Sequence, residues 1–217
     1  YLGAGEQLSS TLILANPSAK LAAAGKVDFF SPDGKPLELS IGGAAAKDSL
    51  EFNLPPLGSA EFPVTVSGPA TTGRARIEAD QPVAATVRFS SPSLGTANLP
   101  ESLVTDAFAM PAIRDRARGI STAVFVINGE TGGVYELTLT APGDQTDVTV
   151  PPNSQMIRYV EELFPDVEDV QGALLLDGAS LAAFTVLKTG SEFTVMPVMR
   201  APRVSGAQQA QAARAEP

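Results

Sequence analysis

The chain contains an internal repeat, and a repeat restricts the fold to architectures in which copies of one unit pack together. Five blocks recur in the same order along the 217 residues: 9–17 with 121–129, 27–34 with 137–144, 50–56 with 146–152, 73–88 with 172–187 and 109–113 with 195–199. One block of this length could match by chance. Five collinear blocks indicate a duplicated unit.

The repeated blocks have the period of β-strands, in which alternate side chains face opposite sides of a sheet. In the longest block the apolar residues keep one phase in both copies: Val83, Ala85 and Val87 in the first, Ala182, Phe184 and Val186 in the second. A shift of one residue would turn all these side chains to the other face. We therefore expect both sets to face the interior of their own unit.

Runs rich in Val, Ile, Phe and Thr, bounded by Gly, Pro, Asn and Asp, predict seven or eight short strands in each copy. The predicted strands are 10–15, 26–31, 36–41, 49–54, 60–66, 73–79, 82–90, 104–110, 121–127, 134–140, 145–150, 154–160, 172–177, 181–188 and 192–198. A single helical turn is expected at 161–165. This pattern predicts an all-β fold of two tandem Ig-like β-sandwich domains of similar topology.

The repeat also predicts the division of the chain. We expect a first sandwich at 1–113, a linker at 114–118, a second sandwich at 119–200 and a flexible tail rich in Ala and Gln at 201–217. Residues 90–103 have no counterpart in the second copy and are expected to form a long excursion. Because the chain starts at Tyr1 rather than Met, we expect that a signal peptide has been removed.

Three absent residue types narrow the chemistry, since the chain has no His, no Cys and no Trp. Without Cys there is no disulfide, thiolate nucleophile or structural zinc site, and without His a serine–histidine triad is impossible. We predict that the chain is not an enzyme and has no catalytic, cofactor-binding or metal-binding residues. A glycosidase that works with two carboxylates stays open as an alternative, because the 24 Asp and Glu residues provide many pairs.

The charge of −9 and the low aromatic content restrict the partners. A nucleic-acid surface needs a basic stripe, but the one basic cluster, Arg114, Arg116 and Arg118, includes Asp115. We interpret this cluster as a linker that ties the two units together rather than as a docking patch for an anionic partner. No apolar run is long enough to span a membrane. With aromatics at 6%, carbohydrate binding lacks positive support.

Two acidic groups are candidates for calcium, which binds carboxylates in loops. The first consists of Glu161, Glu162, Asp166, Glu168 and Asp169, and the second, weaker one of Asp144 and Asp147. Neither has the spacing of a calcium-binding loop, and we favour a solvated acidic turn for the first. Tyr1 and Leu2 could add to the sheet of a neighbouring molecule, although a frayed end is the simpler interpretation.

The order of Ser-Thr-apolar strand-Asn-Pro, a Pro-Pro turn, Gly…Pro-Val-Ala-Ala-Thr-Val and Met-Pro resembles tandem Ig-like sandwich repeats of secreted bacterial surface proteins. The resemblance covers about residues 9–199 and implies an extracellular or cell-surface spacer, adhesive module or fibre subunit. We therefore expect a structural protein that self-associates through edge strands or termini. The alternative is an accessory pair of binding or spacer modules that tethers a larger secreted enzyme to a polymer or carbohydrate.

Overall fold

A computed structural model describes residues 2–5, 8–66, 69–91, 95–102, 104–129, 133–139, 144–190, 192–196 and 198–201. Most of these residues lie in strands, and the strands pair antiparallel throughout. The prediction of an all-β fold is confirmed. The predicted helical turn is present as α1, Val160–Leu163, where the Glu162 carboxylate accepts a hydrogen bond from the Tyr159 N–H at 2.7 Å.

The first nine strands form two sheets that face each other. They are β1 (Leu2–Ala4), β2 (Ser9–Ala15), β3 (Ala23–Phe30), β4 (Ser40–Ile41), β5 (Ser49–Leu54), β6 (Ser59–Thr65), β7 (Thr71–Ala79), β8 (Ala84–Ser91) and β9 (Gly95–Pro100). One sheet has the order β1-β7-β3-β5 and the other β4-β6-β2-β8-β9. Side chains from both sheets, among them Leu12, Leu14, Val27 and Phe29, meet in one apolar cluster. Each contributes about 1.5–3 kcal/mol by leaving water.

The remaining strands belong to one branched sheet. They are β10 (Val104–Arg114), β11 (Ile120–Asn128), β12 (Gly133–Leu139), β13 (Gln145–Val150), β14 (Gln155–Tyr159), β15 (Val170–Thr189), β16 (Glu192–Met196) and β17 (Met199–Arg200). The first part of β15 pairs with β10 and β12, and its second part pairs with β11 and β16. This long strand therefore belongs to two groups of strands, one with β10 and β12 and the other with β11 and β16. A second apolar cluster lies between these two groups.

The strand order of the first half recurs in the second. The order β1-β7-β3-β5 corresponds to β10-β15-β12-β13, and β6-β2-β8-β9 corresponds to β14-β11-β15-β16. Even the register agrees, since Val27 lies opposite Ile77 and Leu50, and Leu137 lies opposite Leu176 and Thr146. The first three sequence blocks and the start of the fourth therefore occupy equivalent positions. The Ig-like topology and the domain division stay predictions.

In each half one hydroxyl group connects the first two strands. These strands are β1 and β2 in the first half and β10 and β11 in the second, and the bonds lie where the two strands diverge to pair with different neighbours. The Ser10 hydroxyl accepts a hydrogen bond from the Gly3 N–H at 2.8 Å and donates to the Gly3 carbonyl at 2.7 Å. The Thr122 hydroxyl makes the same two bonds to Ile113, both at 2.9 Å. Both hydroxyl-bearing residues are buried. A buried hydroxyl that satisfies a donor and an acceptor replaces the missing ladder bonds.

A buried asparagine in each half holds the Pro-Pro turn. The Asn16 amide donates to three carbonyl oxygens, those of Leu21 (2.8 Å), Leu54 (3.3 Å) and Pro55 (3.1 Å). Asn128 is equivalent, and its amide donates to the Val150 carbonyl at 2.9 Å. The turns themselves match, because Leu57 and Asn153 both have positive φ, 55° and 53°. The Asn of the repeated motif is thus a structural residue.

The longest repeated block pairs 73–88 with 172–187. In its second part, the prediction of which alternate side chains face the core of their own half is wrong. Val87 lies opposite Leu12 and faces its own core, whereas Phe184 and Val186 face away from theirs and belong to the apolar cluster of the first half. The strands β7 and β8 are separated by a turn. The equivalent part of β15 is continuous and contains one residue fewer than the stretch from β7 through the turn to β8. A one-residue shift reverses the faces.

Other elements differ from the prediction in extent or place. Strand β10, expected to close the first unit, pairs with β15, and the linker expected at 114–118 forms the turn of the β10–β11 hairpin. The two Met-Pro blocks are therefore not equivalent, since Met110 lies in β10 and Met196 in β16. The excursion at 90–103 contains β9, and of the strand predicted at 36–41 only β4 is present. The tail at 202–217 lies outside the described residues.

We expect Asn16→Ala to lower the free energy of unfolding by about 2–3 kcal/mol, because buried carbonyl oxygens lose their donor. Urea unfolding monitored by circular dichroism measures the change. The control is Asn53→Ala at an exposed position of β5, which should change the value by less than about 0.5 kcal/mol. Equal effects of the two substitutions would contradict the role of Asn16.

Candidate functional site

The two halves meet through a small set of polar contacts. The Gln155 N–H donates to the Pro32 carbonyl at 3.1 Å, and the Arg74 guanidinium donates to the Asn153 carbonyl at 2.7 Å. Gly34, with φ at 84°, packs so closely here that a Cβ would lie 2.2 Å from the Asn153 oxygen. Only glycine fits at that position. We call these five residues the junction.

Arg74 is the most unusual member of the junction, because it is charged and only 5% exposed. Its guanidinium lies over the Phe30 ring, 4.6 Å from the centroid, and no carboxylate pairs with it in the described part of the chain. Burial lowers the pKa of Arg74 below its usual value. A cation over an aromatic face is favourable, but burial without a counter-ion is costly. Arg74 therefore depends on the contact with the second half.

The two halves also meet through apolar side chains. Phe184 stacks on Phe125 with centroids 4.4 Å apart, and Phe193 meets Phe89 edge to face at 5.9 Å. All four belong to the cluster that includes the interior of the first half. The outer face of β11, β15 and β16 thus closes part of the first core. The contact between the halves therefore combines apolar packing with the polar contacts of the junction.

The first acidic group does not converge on a common centre. The Glu161 carboxylate accepts from the Ser121 hydroxyl, and Glu162 caps α1. Glu168 pairs with Arg116 at 3.4 Å, and Asp169 accepts from the Arg116 N–H at 2.9 Å. Over the described ranges, no three carboxylates are close enough together to hold a metal ion. These acids organise the surface around α1.

The second acidic pair is divided between two places. Asp144 contributes to an open groove of about 560 Å³, whose other lining residues are Asp166, Val167, Glu168, Asp169, Val170 and Gln171. Asp147 is an exposed residue of β13. The groove collects carboxylates from two loops, yet nothing in its geometry selects a ligand.

The arginine cluster lies within the second half. Arg118 pairs with Asp115 at 2.6 Å across the β10–β11 turn, and Arg114 donates to the Val167 carbonyl. The Arg118 N–H and side chain lower the pKa of Asp115. These contacts tie the turn to the segment after α1, so the cluster does not connect the two halves.

The two tyrosines that the structure describes, Tyr135 and Tyr159, do not form a flat binding surface. Tyr135 is 8% exposed, and its hydroxyl accepts from the Asn128 amide at 3.1 Å. Tyr159 is half-buried and precedes α1. Tyr1 lies outside the described residues, while Leu2 is fully buried in β1. Leu2 therefore completes its own sheet here.

A second groove lies at the end of β7. It has a volume of about 420 Å³ and is lined by Ile77, Ala79, Asp80, Gln81, Pro82, Val83 and Glu101. We call it the β7 groove.

In the second half β10 covers the edge of β15, with Phe108 opposite Leu176 and Met110 opposite Leu174. These four side chains are at most 3% exposed. Their counterparts on β7, Ile77 and Ala75, are half-buried.

Charged residues cover the other face of β7. Asp28 pairs with Lys26 at 2.6 Å and with Arg76 at 3.3 Å. The hydrogen bond from Lys26 is the main cause of the lowered pKa of Asp28, and Arg76 adds to it. The edge of β7 is therefore polar on its outer face and apolar towards the groove.

Comparison with protein families, with curated proteins and with solved structures finds no match. The described residues also include no helix with the length and apolarity needed to cross a bilayer. Functional arguments for this chain therefore rest on its own geometry. The junction and the β7 groove are the two surfaces that this geometry distinguishes.

We expect Arg74→Ala to destabilise the protein by about 2 kcal/mol, because the Asn153 carbonyl loses its donor and Phe30 its covering group. Hydrogen exchange of the Gln155 amide should accelerate as the junction opens. The control is Arg88→Ala, since this arginine is 47% exposed and pairs loosely with Glu61 at 3.6 Å. If the control accelerates the same amide equally, the junction does not depend on Arg74.

We expect Asp28→Asn to lower stability near neutral pH by less than about 1 kcal/mol, since the ion pairs are partly solvated. A carboxylate whose pKa is lowered by folding stabilises the protein above its unfolded pKa, here 3.8, and loses this contribution as the pH falls. The difference between variant and wild type should therefore shrink in acid. Urea unfolding at two pH values measures it, with Asp147→Asn as control.

Proposed function

We propose that this chain is a non-catalytic structural protein, exported or displayed at the cell surface, that acts as a subunit in assembly or adhesion. The observation that carries the proposal is the pair of sheet edges at β5 and β13. Among the described strands β5 pairs with β3 alone and β13 pairs with β12 alone, so each has one side without a partner strand. An edge of this kind is a template for another extended segment.

The junction supports a mechanical role. It combines an apolar interface, which contains Phe125 and Phe184, with the directional contacts of Arg74 and Gln155. Non-directional packing holds the halves together, and the hydrogen bonds define their relative position. A subunit with such a junction transmits force between its ends better than two modules on a free linker.

The chemistry of the described residues points in the same direction. The carboxylates around α1 serve as caps and ion-pair partners, and Tyr135 is occupied with Asn128. The absence of His and Cys from the chain removes the usual nucleophiles and general bases. These facts favour a structural role over catalysis.

The junction also supports the second candidate, a spacer that tethers a catalytic domain to a polymer. A spacer needs a defined distance between its ends, and the buried Arg74 contact provides that. It does not need an open strand edge. Self-association therefore separates the two candidates.

We expect the purified chain to associate as its concentration rises, and Asn53→Lys to reduce this association. Asn53 is exposed on β5, so lysine adds a charge at this sheet edge without disturbing a packed side chain. Sedimentation velocity and electron microscopy over a range of concentrations measure the assembly. The control, Ala45→Lys, adds the same charge at an exposed loop position and should associate like wild type. A monomer at every concentration would contradict assembly and favour the spacer.

A further inference from the structure

We propose that the first half inserts an apolar tip into the surface of a lipid bilayer. The tip consists of residues 16–22, which connect β2 to β3, and residues 55–58, which connect β5 to β6. Its two leucines, Leu21 and Leu57, enter the layer where the headgroups meet the acyl chains. The contact does not involve the edges of β5 and β13, so it goes beyond the proposed function and is tested separately from it.

The tip exposes apolar side chains to water. Leu57 is 70% exposed and Leu21 is 54% exposed. The neighbouring exposed residues are Pro17, Ala19, Ala22, Pro55 and Pro56. Lys20 is the only charged residue of the two loops, although the chain as a whole has a charge of −9. An exposed apolar patch without acids, on an acidic protein, indicates a contact surface for an apolar partner.

Leu57 is also strained in a way that the turn itself does not require. Its φ of 55° lies in the left-handed region, which is unfavourable for leucine and more readily adopted by asparagine. The equivalent residue of the second half is Asn153, with φ at 53°. The same turn therefore forms with the better-suited residue, whereas leucine combines backbone strain with exposure. An outlier of this kind points to a function for the side chain.

The backbone of the tip is suited to an apolar environment, because many of its polar groups are bonded within it. The Leu57 N–H donates to the Ser18 carbonyl at 2.9 Å. The Ser18 hydroxyl accepts from the N–H groups of Lys20 and Leu21, at 3.3 and 3.0 Å. The Asn16 amide donates to carbonyl oxygens of both loops, and the prolines have no N–H. The tip can therefore leave water with little loss of hydrogen bonding.

These features favour a bilayer over a folded protein as the partner. A tip with few free donors offers little to a partner that binds through hydrogen bonds. The fluid acyl layer adapts to the leucines and needs no matching pocket. The Lys20 amine reaches the phosphate groups while its methylene groups lie along the apolar layer. Because binding strength follows the apolar area buried, two leucines give a weak and reversible contact.

The substitution Leu57→Asn tests the proposal without endangering the fold, because Asn153 occupies the same turn in the second half. We expect it to lower the partition coefficient of the full chain onto phosphatidylcholine vesicles roughly fivefold, since an apolar side chain is lost. Cosedimentation over a range of lipid concentrations measures the change. The urea midpoint of this variant should stay equal to that of wild type or rise, because the strain is relieved.

The matched control is Met199→Asn, since Met199 is 66% exposed but lies on β17, outside the tip. This variant should cosediment like wild type. Equal losses in the two variants, or wild-type binding that Leu57→Asn leaves unchanged, would overturn the proposal. So would a wild-type chain that stays in the supernatant at every lipid concentration. The assembly role is measured without lipid and stands or falls independently.

A fluorescence measurement locates the tip directly, because the chain has no tryptophan. We expect the emission of Leu21→Trp to shift to shorter wavelength when vesicles are added, and to be quenched by lipids that carry bromine near the start of their acyl chains. The emission of Met199→Trp should not change. Equal quenching of both variants would show that the chain adsorbs without using the tip, and would refute the insertion.

Discussion

A strand with apolar side chains on both faces must be covered on both sides. β15 is such a strand over its second part, where Leu181 and Ala183 face the core of the second half while Phe184 and Val186 face the first. The one-residue difference from β7 and β8 creates this situation, because it turns the repeated apolar residues outward. The association of the two halves therefore follows from a change in strand length at a single turn.

Apolar burial alone does not define how two surfaces sit on each other, since it depends on area and has no direction. At the junction the direction comes from two carbonyl oxygens, those of Pro32 and Asn153, which accept from Gln155 and Arg74. Both lie in turns, where a backbone carbonyl is free of ladder bonds. The turns at the ends of the sheets thus supply the specific contacts that the strand faces cannot.

The sequence predicted the strands well because their alternation is a local property of the chain. The repeat even located equivalent residues, such as Asn16 and Asn128, whose shared role is visible only in the structure. The repeat could not predict which strands that are distant in the sequence pair with each other. The place of β10 depends on which strand it meets, and the phase of Phe184 depends on a turn that one copy lacks.

The same requirement, that apolar side chains be covered, is met by different strands in the two halves. In the second half β10 pairs with β15, and Leu174 and Leu176 are buried there. In the first half Val27, Phe29 and Leu54 pack in one cluster with side chains of β2 and β6. Phe184 and Val186 of β15 join this first cluster, so the core of one repeated unit includes side chains of the other. A duplicated sequence therefore need not produce two independent cores.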